Sequence, residues 1–193
     1  MNRQRGPRWA VVLSAAAIAL LSLAACGDAA GPFASLLPRD TVAPVSVVTK
    51  YFPDITKEAS TGPNETSVGK PIASRSVVFA SADGKKKVTL SVDQYASAND
   101  AAAAYQTAVE GSKAAPGFNP AATPSLGQEA FAGTSQVGAE THFGLGTRDG
   151  RLIMSATHAG DIPVTPDNSN NLISIGGEEL TTAKQVLGPS GSS

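Results

Sequence analysis

Apolar and polar residues alternate with a period of two in two parts of the chain, and the first of these predicts a β-hairpin. Residues 75–80 and 86–95 flank Asp83-Gly84, a dipeptide that favours two-residue hairpin turns. A tight turn at this position sets Phe79 opposite Val88 and makes one face of the pair apolar.

The second alternating stretch predicts another hairpin. Residues 139–147 and 151–158 flank Asp149-Gly150. The same tight-turn register sets Phe143 opposite Ala156, and it places the other apolar residues of both strands on that same face.

Helical periodicity predicts three helices: one containing Val45, Val48 and Tyr51, one from Ser97 to about Gly111, and one near Glu178–Leu187. Ser97 is followed three residues later by Asp100, as in a capping box at a helix N-terminus. Glu178 and Glu179 suit the positive N-terminal end of the third helix.

The remaining long stretches predict irregular structure. Residues 54–73 are polar and rich in turn formers, and residues 112–138 are rich in Gly, Pro, Ala and Ser, with a short ordered piece expected at 126–131. The order of elements predicts an α+β fold, in which a single antiparallel sheet built from two hairpins carries helices packed on it.

The N-terminus has the pattern of a secretory signal peptide. Residues 1–9 hold three arginines and no acid, and residues 10–23 are apolar except for two serines. A helix of 14 residues is about 21 Å long, which is short of the ~30 Å hydrocarbon core of a bilayer. These features predict a cleaved leader over residues 1–25.

The run Leu23-Ala24-Ala25-Cys26 resembles the lipobox of bacterial lipoproteins. That resemblance implies a diacylglyceryl thioether on Cys26 and cleavage just before it. Two acyl chains suffice for stable membrane attachment. Cys26 is the single cysteine, so the chain cannot form an internal disulfide. The alternative is an ordinary signal peptide cut after Ala25 beside an incidental cysteine.

Four regions follow from these patterns: a signal peptide at 1–25, a lipidated Cys26 with its linker at 26–39, a globular α+β domain at 40–188, and a disordered tail at 189–193. The leader contains no acid, so the mature chain is net acidic and offers no basic surface for nucleic acid.

Residues suited to catalysis or metal binding are sparse. His142 and His158 occupy positions of opposite parity in the second hairpin, so they point to opposite faces and cannot share a metal ion. No Gly-x-Ser-x-Gly motif or phosphate-binding glycine loop is present. The sequence therefore predicts no catalytic residues, no metal and no cofactor.

Two sequence segments are the basis of a wider resemblance: residues 93–102 (DQYASANDAA), and residues 126–131 (LGQEAF) followed by a hairpin. They resemble small extracytoplasmic lipoproteins of high-GC Gram-positive bacteria, which are similar to the extracellular sensor domain of some receptor Ser/Thr kinases and to PsbP/Mog1-like domains. The resemblance covers about residues 35–188. It implies a non-enzymatic sensor-like domain and no shared catalytic residues.

The sequence thus predicts a lipoprotein on the extracytoplasmic face of a cell membrane that binds or senses a lipid, a cell-wall fragment or an envelope protein. Its partners are membrane lipid, through acylated Cys26, and a small apolar ligand or an envelope protein. Tyr105, Leu126 and Phe131 are the candidate residues of a ligand groove. The alternative for residues 126–131, which the sequence favours, is a turn whose Leu126 and Phe131 side chains pack into the core. The alternatives are a cell-envelope enzyme with dispersed carboxylates and a ligand-free structural protein.

Overall fold

The structure, a computed structural model, describes residues 35–188. The predicted signal peptide, Cys26 and the tail from Pro189 onward lie outside the described residues. Residues 35–39 belong to the predicted linker, but Leu37 is already buried in the core.

The strands are β1 Ser35–Leu36, β2 Ile55–Gly62, β3 Ala73–Ser81, β4 Lys86–Gln94, β5 Asn119–Pro120, β6 Glu129–Val137, β7 Glu140–Asp149 and β8 Leu152–Gly160. The helices are α1 Val45–Tyr51, α2 Ala98–Lys113 and α3 Pro166–Leu187, with a 3₁₀ turn at Arg39–Thr41 before α1.

The long strands form one sheet in the order β2-β3-β4-β8-β7-β6, and the two-residue strands β1 and β5 pair with β3 and β6. The predicted α+β class is therefore confirmed. The prediction of a purely antiparallel sheet is wrong, because β1 runs parallel to β3. The intervening 3₁₀ turn, α1 and β2 supply the long crossover that a parallel pair needs.

The first hairpin has the predicted register. Phe79 pairs with Val88 and Val77 pairs with Leu90 across β3 and β4. Gly84 adopts a left-handed φ of 74° in the turn, a conformation that glycine adopts without steric cost. Local turn chemistry and the apolar pattern therefore agree on this pairing.

The second hairpin forms with a shifted register. Phe143 pairs with His158 rather than with Ala156, because Asp149 pairs with Leu152 and the turn is made by Gly150 and Arg151. Each partner moves by two residues, so every side chain keeps its predicted face.

Two long strands arise where irregular structure was predicted. β2 lies at the sheet edge with most of its residues exposed, so it has no alternating apolar pattern. β6 contains Ala132, Gly133, Thr134 and Ser135, which are too small and polar to indicate a strand by hydropathy. The predictions for residues 54–73 and 112–138 are therefore wrong over these strands.

The first two helices form as predicted, but the third is much longer. The Ser97 side chain caps α2 by accepting a hydrogen bond from the Asp100 backbone N–H at 3.1 Å, and α2 continues two residues past Gly111. α3 begins at Pro166, behind a Thr165 cap, so Glu178 and Glu179 lie in its middle. Their predicted place at a helix N-terminus is therefore wrong.

The helices cover opposite faces of the sheet. The face packed against α1 and α3, called here the α3 face, holds the larger core, which includes Phe79, Leu90 and Phe143. The opposite or α2 face holds a smaller core around Tyr105 and Ile153. Between residues 35 and 188, none of the helices has the length and hydropathy to cross a membrane.

Candidate functional site

On the α2 face, β6 and β7 carry glycine at three neighbouring positions. Gly133 and Gly144 pair directly, and Gly146 pairs with Phe131 one row away on the same face. Glycine in a strand often marks a close approach of another group. Here the glycines form the floor of a space between the sheet and α2.

Side chains from α2 and from the neighbouring loop close this space. Tyr105, Val109, Phe118, Phe131 and others surround a cavity of about 30 Å³ whose walls are almost entirely apolar. The rings of Phe118 and Phe131 stack with centroids 5.5 Å apart and an interplanar angle of 15°. The cavity is large enough for a water, but a buried water needs two or more polar partners, so this apolar cavity suits a small hydrocarbon group better than water.

An open groove of about 600 Å³ lies next to the cavity, between α2 and residues 123–131. Tyr105, Leu126 and Phe131, the three residues predicted for a ligand groove, all line it. The Leu126 side chain also packs against the core of the α3 face, beside Gly177 of α3. Tyr105, Phe131 and Val109 also line the cavity, so they separate the inner space from the outer groove.

The hydroxyl of Tyr105 is buried and has no hydrogen-bond partner in the described part of the chain. Burial, together with the nearby Glu129 carboxylate, raises the pKa of Tyr105 to about 12, and Arg148 acts in the opposite direction. The phenol therefore stays protonated at neutral pH and keeps its O–H available as a donor. Glu129 and Arg148 form an ion pair of 2.6 Å beside it.

A second pair of buried polar side chains lies one row beyond the glycine floor. Ser135 pairs with His142 across β6 and β7. The Ser135 hydroxyl and the His142 Nδ1 lack hydrogen-bond partners among residues 35–188, while His142 Nε2 lies 3.1 Å from Glu140 Oε2. The floor is thus flanked by unpartnered polar atoms at both ends.

The two histidines point to opposite faces, as predicted. His158 stands on the α3 face, where its ring stacks on Phe143 at 6.0 Å. Burial lowers the pKa of His158 to about 4, and the proximity of His142 contributes in the same direction. Within residues 35–188, no three His, Cys, Asp or Glu side chains are grouped so as to hold a metal ion.

Two carboxyl groups are buried, one on each side of the sheet. On the α2 face, Asp93 accepts hydrogen bonds from Asn64 Nδ2 at 2.9 Å and Ser67 Oγ at 2.7 Å. On the α3 face, Glu179 Oε2 accepts one from the Ala43 N–H at 2.6 Å. Burial raises the pKa of Asp93 to about 7 and that of Glu179 to about 8. Because the sheet separates them, they cannot act together as an acid–base pair.

The sequence-based prediction missed the glycine floor. The alternation Gly144-Leu145-Gly146 has a period of two, which places both glycines on one face of a strand. That spacing was the available signal for a close approach of α2. Gly133 could not be interpreted in this way, because the strand that contains it was not predicted.

Comparison with known proteins adds a fold relationship. The sequence matches no protein-family profile and no curated protein. Among solved structures, it is similar to the extracellular domain of PknH from Mycobacterium tuberculosis, with a TM-score of 0.50 and 10% sequence identity. The similarity covers 73% of this chain and 93% of that domain. This chain therefore shares its fold with the extracellular domain of a mycobacterial protein.

Proposed function

We propose that this chain is a lipoprotein held on the extracytoplasmic face of a bacterial cell membrane by acyl chains on Cys26. We further propose that its domain is a non-enzymatic binding or sensing module for a ligand with an apolar group. The lipobox-like run at Cys26 supports the anchor. The fold shared with an extracellular domain supports the location.

One observation carries the binding proposal: an apolar cavity with a glycine floor lies directly behind an open groove. Tyr105, Val109 and Phe131 line both spaces. Ligand sites combine apolar walls with a few polar groups that fix orientation. In this site, the buried Tyr105 hydroxyl is a donor without a protein acceptor in the described chain.

The volumes determine how a ligand would fit. The cavity of about 30 Å³ admits only a small apolar group, whereas the groove of about 600 Å³ is large enough for the rest of a lipid or a wall fragment. A ligand would therefore lie in the groove and direct one methyl or short alkyl end past Phe131. An acceptor atom near the cavity mouth would take the Tyr105 hydrogen bond.

Cys26→Ser tests the anchor. The full chain, produced in its native host, is expected to move from the membrane fraction to the soluble extracytoplasmic fraction, because the serine oxygen cannot form the thioether. A variant that has lost residues 1–25 and still stays in the membrane fraction like the wild type would contradict the anchor.

Gly146→Val tests the cavity. A Cβ at Gly146 would approach Tyr105 no closer than 3.9 Å, so the valine fills the space without a backbone clash. Protein isolated from the native host is extracted with organic solvent, and the released small molecules are quantified per mole of chain. We expect a near-stoichiometric apolar molecule from the wild type and at least a tenfold lower yield from Gly146→Val.

Gly111→Ala is the matched control, because a Cβ at Gly111 on α2 meets open space. It should retain the ligand. Gly146→Ala provides a milder variant if the valine perturbs folding, which circular dichroism would detect. Equal ligand yields from the wild type and from folded Gly146 variants would refute this site.

A further inference from the structure

Exposed apolar side chains are concentrated at one end of the sheet. Four large apolar residues in the described chain are well exposed, and three of them, Leu36, Ile72 and Val186, lie at the end where the chain enters the domain. Leu36 and Ile72 are 52% and 48% exposed. They are also close neighbours, because the Ser35 N–H donates to the Ile72 carbonyl at 3.0 Å.

Strand pairing defines this end, called here the Ser35 end. Ser35 pairs with Ala73 at the start of β3. Ala73 in turn pairs with Gln94 at the end of β4, and Gln94 pairs with Leu152 at the start of β8. The C-terminal part of α3 reaches the same end, since Lys184 forms an ion pair of 2.5 Å with Asp149.

The opposite end of the sheet holds the fourth exposed apolar residue. Lys86 pairs with Gly160 there, and Val164, which is 36% exposed, follows four residues later. A nine-residue strand spans about 30 Å, so Val164 lies roughly that far from the Ser35 end.

The length of chain between Cys26 and the domain limits which end of the domain can face the membrane. Nine residue steps separate Cys26 from Ser35. Fully extended they reach about 30 Å, and a flexible chain of this length has a root-mean-square span of about 17 Å. The Ser35 end therefore stays near the point of attachment, whereas turning the opposite end toward the membrane would need an almost fully stretched linker.

We infer that the Ser35 end of the domain is a membrane-contact surface, on which Leu36 and Ile72 insert among the lipid headgroups of the outer leaflet. This inference rests on the lipid anchor of the proposed function. It adds an orientation: the sheet stands upright on the bilayer, with Val164 pointing away from it.

Charged side chains of both signs are exposed at this end: Glu65 and Asp100 are acidic and Lys70 is basic. Lys70 is exposed two residues before Ile72, where its ammonium can meet lipid phosphates. The carboxylates of Glu129 and Asp149 at the same end are paired with Arg148 and Lys184, which reduces their repulsion from the bilayer.

Two half-exposed apolar residues would hold a free domain only weakly. A tether changes this, because it keeps the local concentration of bilayer at the Ser35 end high. The contact therefore orients a domain that is already attached, and the unlipidated Cys26→Ser chain should show little binding to vesicles.

The test uses single-cysteine labels. The Cys26 sulfur is consumed by the thioether in the lipidated chain, so a newly introduced cysteine is the only free thiol. Leu36→Cys, Ile72→Cys and the matched control Val164→Cys are labelled with an environment-sensitive fluorophore. The full lipidated chains are then placed in phosphatidylglycerol-containing vesicles that carry headgroup nitroxides.

We expect nitroxide quenching at positions 36 and 72 to be at least threefold stronger than at position 164. Equal quenching at the three positions in chains that float with the vesicles would overturn the orientation and leave the anchor intact. A chain that does not float and has an unmodified Cys26 would overturn both proposals.

Discussion

Glu179→Gln should make folding stability less sensitive to rising pH. The Glu179 carboxyl is buried against the α3 face, and one of its oxygens accepts the Ala43 N–H while the other has no partner among residues 35–188. Burial raises its pKa from 4.5 to about 8, and the Ala43 hydrogen bond and Arg39 offset only part of that effect.

The sign follows from proton linkage. Between pH 4.5 and about 8 the folded chain keeps this proton and the unfolded chain has lost it, so stability falls as pH rises. Each pKa unit corresponds to about 1.4 kcal/mol. The loss of unfolding free energy caused by Glu179 is therefore about 3 kcal/mol at pH 7, and it approaches about 5 kcal/mol above pH 8. The second figure is an upper limit, because structural relaxation around the ionised carboxylate reduces the loss.

Glutamine keeps the acceptor for Ala43 and has no proton to lose in this range. Near pH 4.5 the variant should be within about 1 kcal/mol of the wild type, because both side chains are then neutral. Urea unfolding of the two chains from pH 4.5 to 9 gives the difference in unfolding free energy directly. Between pH 4.5 and 7, the unfolding free energy of the variant should rise by about 3 kcal/mol relative to that of the wild type.

Glu178→Gln is the matched control. Glu178 is partly exposed and accepts hydrogen bonds from Lys50 and from the Tyr51 hydroxyl, and these partners lower its pKa. Its stabilising contribution is therefore present above its unfolded pKa, so the control should lose a small amount of stability at neutral pH rather than gain any. If the difference in unfolding free energy between wild type and Glu179→Gln is the same at every pH, Glu179 does not hold a proton in the folded chain over this range.

Two further predictions concern the α3 face. Gly176→Ala should destabilise the fold by about 1–2 kcal/mol, since the added Cβ would overlap the Leu145 side chain. Gly177→Ala should raise stability by about 0.5–1 kcal/mol through helix propensity, because the added Cβ would lie 3.4 Å from Leu126. Thermal unfolding of both variants measures the two changes, and equal changes would contradict this prediction. His158→Leu should stabilise the fold, because the buried ring makes no hydrogen bond to another residue of the described chain. The advantage of the variant in unfolding free energy should grow by about 3 kcal/mol as pH falls from 6.5 to 4, the range in which the unfolded histidine gains a proton and the folded one does not. Acid unfolding curves that superimpose would count against this assignment.

The hairpins could be predicted because local turn chemistry and side-chain alternation point to the same pairing. The second hairpin shows the limit of that approach, since Asp149-Gly150 indicates a turn but Gly150 takes its first central position rather than its second. The faces survived because this shift is of two residues, which preserves parity, whereas a one-residue slip would have turned the strand's side chains to the other face. The opposite placement of His142 and His158 was therefore predicted correctly despite the wrong partners.

The missed strands have tertiary causes. Among residues 35–188, β2 pairs with β3 alone and exposes most of its side chains, so its sequence need not alternate. β6 carries glycine at position 133 because the Phe118 ring packs closely on it, and a Cβ at Gly133 would meet that ring at 2.6 Å. The start of α3 was signalled only by Thr165-Pro166, a cap followed by proline at the first helical position.

The candidate site was predictable only in part. Tyr105 was identified on the apolar face of a helix, and Leu126 and Phe131 on a turn that could either line a groove or fill the core. The fold brings all three to the lining of one groove, and Leu126 also packs against the core of the α3 face. The cavity behind them depends on residues with no side chain, which hydropathy patterns do not detect. Its size is set by how closely α2 approaches the glycine floor.

Native mass spectrometry of the full chain, extracted from its host membrane, examines the lipid anchor and the apolar ligand in a single spectrum. We expect a chain that begins at Cys26, carries a diacylglyceryl group, and retains one additional small molecule that organic solvent removes. A spectrum with residues 1–25 still present, with an unmodified Cys26, or without any additional bound mass would contradict this expectation.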